Sequence, residues 1–69
     1  MTRKKIYEHL TYIQKYDTDG EKIYYNDTME VVFKIKENKI YDLDGIMRYE
    51  IKGNHIYEPN STKIIFDIR

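Results

Sequence analysis

Apolar and polar residues alternate with a period of two along most of this chain. Met29, Val31, Phe33 and Ile35 interleave with Glu30, Val32, Lys34 and Lys36. Met47, Tyr49 and Ile51 interleave with Arg48, Glu50 and Lys52, and Ile64, Phe66 and Ile68 with Lys63, Ile65 and Asp67. This period places alternate side chains on opposite faces of an extended strand, and most of the apolar members are residues that favour strands. Between the runs stand Asp19-Gly20, Glu37-Asn38, Asp44-Gly45, Gly53-Asn54 and Pro59-Asn60-Ser61. Gly, Asn and Asp tolerate the positive φ of tight hairpin turns, and connections this short join only antiparallel strands.

The runs belong to a repeat. Ile-Tyr recurs at Ile6-Tyr7, Ile23-Tyr24, Ile40-Tyr41 and Ile56-Tyr57, at spacings of 17, 17 and 16, and follows Lys5, Lys22, Lys39 or His55. Later in each unit an aromatic precedes an isoleucine by two: Phe33 and Ile35, Tyr49 and Ile51, Phe66 and Ile68. In the first unit Tyr16 and Thr18 hold those places. Units of about 6–22, 23–39, 40–55 and 56–69 each have room for two strands and two turns. The expectation is one all-β domain over residues 1–69, an antiparallel meander of about four tandem hairpins with six to eight short strands. It closes as a small barrel or sandwich, or pairs in an oligomer. Residues 3–17 carry a second reading: Ile6, Leu10 and Ile13 also fit a helical stripe with Thr2 as N-cap, and such a helix covers a six-stranded meander.

Turn lengths set the register. A two-residue turn at Glu37-Asn38 places Lys36 opposite Lys39, Ile35 opposite Ile40 and Lys34 opposite Tyr41. A turn at Gly53-Asn54 places Ile51 opposite Ile56. A turn at Leu43-Asp44 sets Ile40 against Met47, and a loop at Asn26-Asp27-Thr28 sets Ile23 against Val31. One face then carries Ile23, Val31, Phe33, Ile35, Ile40, Met47, Tyr49, Ile51, Ile56, Ile64, Phe66 and Ile68. That face must leave water, because each large apolar side chain contributes about 1.5–3 kcal/mol on burial. The other carries Tyr7, Tyr24, Tyr41 and Tyr57 beside Val32, Lys34, Arg48, Glu50 and Ile65.

Composition narrows the chemistry. The chain has no cysteine, and its 12 basic and 12 acidic residues cancel, so neither disulfides nor a strongly basic surface is in play. Arg3-Lys4-Lys5 reads as a solvated tail. No apolar run approaches the roughly 20 residues that span a bilayer, and no leader pattern follows the N-terminal charges; a cytoplasmic location is expected. Asn26-Asp27-Thr28 and Asn60-Ser61-Thr62 match a glycosylation pattern and read as turns in that setting. Asp17-Thr18-Asp19-Gly20 and Asp42-Leu43-Asp44-Gly45 share D-x-D-G with calcium loops, but Gly53 stands where a calcium loop beginning at Asp42 needs glutamate, so both read as hairpin turns. His9 and His55 have no serine or cysteine motif beside them, Ser61 is the only serine, and no glycine-rich phosphate loop is present. No enzymatic site, metal or cofactor is expected.

The stretch from Ile40 to Tyr57, with Ile40-Tyr41-Asp42-Leu43-Asp44-Gly45, Tyr49-Glu50-Ile51 and Gly53-Asn54, resembles a unit of uncharacterised bacterial tandem hairpin-repeat proteins, and more faintly the YD repeats of bacterial surface and toxin shells. The resemblance implies a repetitive β-sheet and no activity. A structural or protein-interaction module follows, paired with itself or with another protein. Tyrosine is enriched at interfaces, which singles out Tyr24, Tyr41 and Tyr57 with Val32 and Ile65 as the partner surface. The alternative is a single-stranded nucleic-acid binder that uses the same tyrosines with Lys34, Lys15 and Arg48.

Overall fold

Every run of period two is a strand in the structure, a computed structural model that describes residues 3–69. The strands are β1 (Lys4–Glu8), β2 (Gln14–Thr18), β3 (Lys22–Tyr25), β4 (Val31–Lys36), β5 (Lys39–Asp42), β6 (Met47–Lys52), β7 (His55–Tyr57) and β8 (Ile64–Ile68). Each pairs antiparallel with the next, and β8 pairs back onto β1, with Ile6 opposite Ile68, so the sheet closes as an eight-stranded barrel. Closure removes both sheet edges. It also settles the first unit, where the helix over residues 3–17 does not form. β1 has two strand partners, and a helix over residues 3–17 would leave one edge of β8 and one edge of β3 unpaired. Thr2, the N-cap of that reading, lies outside the described residues. Lys4 and Lys5 belong to β1, and the Arg3 guanidinium sits 3.7 Å over the Tyr24 ring and bonds the Thr28 carbonyl, so the basic run is not a solvated tail.

The repeat gives the barrel pseudo-fourfold symmetry, and its Cα extents of 29 × 28 × 17 Å have the two near-equal axes that this requires. The core is built in layers of four. Ile6, Ile23, Ile40 and Ile56 form the central layer and are all 1–2 % exposed. Tyr16, Phe33, Tyr49 and Phe66 form the next, each ring edge-to-face with its two neighbours at 5.7–5.8 Å. Such contacts add to what burial alone supplies. The two layers leave a void of only about 10 Å³. Ile35, Ile51 and Ile68 pack on the other side of the isoleucines, with buried Thr18 at the fourth corner, its hydroxyl bonding the Lys22 carbonyl and accepting the Gly20 amide.

Two kinds of connection alternate. The tight turns at Glu37-Asn38 and Gly53-Asn54 keep the expected register, Ile35 facing Ile40 and Ile51 facing Ile56. The long loops correct it. Ile23 faces Phe33 rather than Val31, and Ile40 faces Tyr49 rather than Met47. Each long-loop hairpin carries one unpaired extra residue just past the isoleucine: Lys15, Val32, Arg48 and Ile65. A β-bulge of this kind bends and twists its strand, as a barrel made from strands of three to six residues requires. It also breaks the period of two, so Val31, Met47 and Ile64 lie opposite Tyr24, Tyr41 and Tyr57 and leave the core face to which plain alternation assigns them.

The loops repeat as well. In units one, two and four, Glu8, Tyr25 and Glu58 close on Ile13, Glu30 and Lys63, and their carbonyls accept the amides of Thr11, Thr28 and Ser61. Hydroxyls of those three residues then cap the amides of Ile13, Glu30 and Lys63. Unit three closes one residue sooner, from Asp42 to Ile46, which accounts for the spacing of 16 between Ile40 and Ile56.

Candidate binding surfaces

The four repeated tyrosines stand in non-equivalent surroundings. Tyr24 is only 8 % exposed, covered by Arg3, and its hydroxyl donates to Asp19 Oδ2 at 2.9 Å. That bond to a carboxylate, and burial after it, push the phenol up. Tyr7 lies under the Arg69 guanidinium at 4.7 Å, and the Lys52 ammonium stands 5.5 Å from the Tyr57 ring centre. Tyr41 is half-buried between Lys34 and Met47 and carries no cation over its ring among the described residues. Of the expected surface set, Tyr24 and Val32 are given over to packing, since Val32 leans against the core. Val32, Arg48 and Ile65 are bulge residues. Arg48 Nε is held by Asp42 Oδ2 at 2.8 Å, and Ile65 is half-buried next to the β1 loop, whose His9 amide bonds its carbonyl. Tyr41 and exposed Lys34 stand side by side, the only pair of the set that the sheet brings together facing outward.

The carboxylates serve turns. Asp19 accepts the amides of Glu21 and Lys22 and then the Tyr24 hydroxyl, which hold its carboxyl down at about 2. Asp42 accepts the Ile46 amide, Arg48 and the Asp44 amide, and lies below the usual carboxylate range. Both D-x-D-G segments are therefore hairpin caps, with one oxygen of Asp19 and of Asp42 on backbone amides and the other on the Tyr24 hydroxyl or Arg48. On the β8 seam, Asp67 draws in His9 from the first loop and His55 from β7, with Nδ1 atoms 3.0 and 2.8 Å from Oδ1. Burial raises the Asp67 carboxyl, but the bonds from His55, His9 and the Leu10 amide outweigh it and lower it. Because both Nδ1 atoms converge on the carboxylate, the Nε2 atoms on the far sides of the rings diverge. Among the described residues no three His, Asp or Glu side chains are arranged as metal ligands, and no helix is long and apolar enough to cross a membrane.

Two surfaces remain largely open, although in the first Arg3 bonds the Met29 sulfur and Arg69 stands 5.6 Å from the Tyr12 ring centre. One is the long-loop end. Leu10, Tyr12, Ile13, Tyr25, Met29, Leu43 and Ile46 are each more than half exposed, and all lie in or beside the first three long loops. The fourth loop, residues 58–63, has no such residue. The other is the outer face of β3, β4 and β5. There Lys22 faces Lys34, Lys34 faces Tyr41 and Lys36 faces Lys39, and a shallow open groove runs past Lys22, Lys34, Lys36, Tyr41 and Leu43.

Sequence reasoning missed the loop surface because it treated loop residues as turn formers. The available signal was apolar side chains at turn positions where neither the repeat nor a core calls for them. Comparison with family models, curated proteins and solved structures finds no match to this chain.

Proposed function

We propose that this chain is a non-catalytic protein-binding module that holds its partner with the first three long loops. The observation that carries the reading is the gathering, among the described residues, of every large exposed apolar side chain at that one end of the barrel. Large apolar side chains gathered in the open at one end of a domain mark contact sites. Leu10 strengthens it. Its φ is +61° at 83 % exposure, in the corner that Asp27 and Asn60 occupy in units two and four. A branched apolar residue pays there twice, in backbone strain and in hydration, and contact with a partner offsets the second cost.

The first three loops carry Asp27, Glu30 and Asp44 and no lysine or arginine of their own, with Arg3 reaching the second loop through the Thr28 carbonyl and the Met29 sulfur. Two such ends repel each other. An anionic membrane or a nucleic acid is disfavoured at this end for the same reason. Barrel closure also covers the apolar face within one chain, so the core needs no second copy. The partner that fits is another protein offering apolar surface flanked by basic residues.

Photo-crosslinkers placed singly at Leu10, Met29 and Leu43 test this. All three are expected to capture one common protein in the native host, and a crosslinker at Lys52 is expected to miss it. Light scattering across concentrations is expected to give a monomer. A dimer that disappears in a Leu10→Ser, Met29→Ser, Leu43→Ser variant would make the loops a self-interface and overturn the proposal.

A further inference from the structure

The lysine face of β3, β4 and β5 is harder to explain as structure than as a site. Lys22 and Lys34 are direct cross-strand partners, as are Lys36 and Lys39. Like charges directly opposite each other destabilise a sheet, and this one carries two such pairs on adjoining ladders. All four lysines are exposed, and none has an ion-pair or hydrogen-bond partner for its ammonium among the described residues. Among the described residues Glu21 is the one free carboxylate in the groove's lining, against three lysines, and the other nearby carboxylates are engaged. Asp42 is bonded by Arg48 and two backbone amides, and Glu50, across the ladder from Lys39, accepts the Asn60 amide.

Alternate residues of a strand share a face. Lys34 and Lys36 of β4 therefore stand with Lys39 and Tyr41 of β5, and Lys22 joins them from β3. Lys22, Lys34, Lys36 and Tyr41 line a shallow, open groove that also takes in Glu21, Asp42 and Leu43, and Lys39 stands beside it across the ladder from Lys36.

We infer that this groove binds the backbone of a single-stranded nucleic acid, with phosphates on Lys22, Lys34, Lys36 and Lys39 and a base against Tyr41. Three features select that ligand among anions. The cations are all lysine, a compact point charge suited to phosphate, and no arginine fork is present to grip carboxylates in bidentate fashion. Tyr41 has an uncovered ring beside Lys34, and an aromatic next to a tracking line of positive charge is the arrangement that stacks successive bases. The groove lies on a sheet face with no protruding helix or ribbon to enter a duplex groove. The net charge of zero does not oppose this, because the local field of the patch is what a nearby strand meets within a Debye length of about 8–10 Å. The site lies mainly on strand faces and shares only Leu43 with the apolar loop residues proposed above to hold a protein, so substitutions at Leu10 and Met29 separate the two.

The test is fluorescence anisotropy with labelled oligothymidylate over a salt series, with polyglutamate as competitor. Wild-type protein is expected to bind with log K falling by about 2–3 per decade of salt, since each single-strand phosphate contact contributes a slope of about −0.7. Lys34→Gln with Lys36→Gln is expected to lower affinity about tenfold at low salt and to flatten the slope by about 1.4. Tyr41→Leu is expected to weaken binding with the slope unchanged. The Leu10→Ser, Met29→Ser variant changes only loop residues outside the groove and is expected to keep the affinity. Absence of binding at low salt, or binding indifferent to the double lysine change, would overturn the inference. So would displacement by polyglutamate at concentrations where oligothymidylate fails to compete, which would make this a site for acidic polypeptide.

Discussion

Tyr16 of β2 and Phe66 of β8 meet edge-to-face at 5.7 Å, and their contact completes a ring of four aromatics through which the first and last units of the repeat are joined. Phe66 also faces Ile56 across the β7–β8 ladder and Glu8 across the closing one. Phe66→Ala is therefore expected to remove one member of a closed set and two edge-to-face contacts. Large-to-small changes of this type cost about 3–5 kcal/mol in a core, and a half-buried ring belongs at about 3. Chemical denaturation measures it. A loss below about 1 kcal/mol would mean that the ring adds nothing beyond ordinary surface packing.

Thr18 is where the repeat and the structure give opposite advice. The other units place Ile35, Ile51 and Ile68 at this corner, so repeat logic recommends Thr18→Ile as a stabilising change. The structure argues for a loss. The Thr18 hydroxyl donates to the Lys22 carbonyl at 2.8 Å and accepts the Gly20 amide at 3.0 Å, and the residue is 4 % exposed, so isoleucine must fit a longer side chain while orphaning the Gly20 amide and leaving the Lys22 carbonyl only its 3.4 Å bond from the Asp19 amide. A drop of about 1–2 kcal/mol is expected. A rise in melting temperature would show that apolar filling outweighs the turn bonds.

The Thr18 comparison shows what was legible in the residues and what was not. The repeat, the strand count and the register across the tight turns follow from Ile-Tyr spacing and from Glu37-Asn38 and Gly53-Asn54, because a two-residue turn leaves no freedom of pairing. The register across the long loops was hidden. Lys15, Val32, Arg48 and Ile65 are ordinary strand residues by type, and nothing in their chemistry announces that they are passed over in the ladder. Closure as a barrel rather than an oligomer was open as well, since both bury the same face. The shared position of the tyrosines was visible. Their separate fates were not, because those depend on Arg3, Lys52 and Arg69 arriving from other units.

Acid is expected to weaken the fold in a defined window. The Asp19 and Asp67 carboxyls are both lower in the barrel than in the unfolded chain, Asp19 at about 2. A group depressed in this way stabilises the folded state above its unfolded value, about 3.9, and that contribution drains away as pH falls through the folded value. Stability is therefore expected to be level near neutrality and to decline from about pH 4 toward pH 2. Asp19→Asn is expected to be less stable than wild type at pH 7 and to show a shallower decline. A decline as steep as the wild type's in that variant would place the acid sensitivity elsewhere.

Leu10 separates what the fold needs from what a partner needs. It stands third in the turn from Glu8 to Thr11, closed by the Thr11 amide on the Glu8 carbonyl, and its φ of +61° is the conformation that type II turns give to glycine or asparagine at this place. Unit four meets the requirement with Pro59 followed by Asn60, whose φ is +59°. Leu10→Asn keeps the turn, relieves backbone strain and removes an 83 % exposed apolar side chain. It is expected to raise stability by about 0.5–1 kcal/mol while lowering capture of the protein partner at the loop end. If leucine were there for the fold, stability would fall in the asparagine variant. If it were there for neither purpose, stability would rise and partner capture would stay the same. Only opposite movement of the two measurements fits a residue kept at the expense of its own turn for contact with another protein.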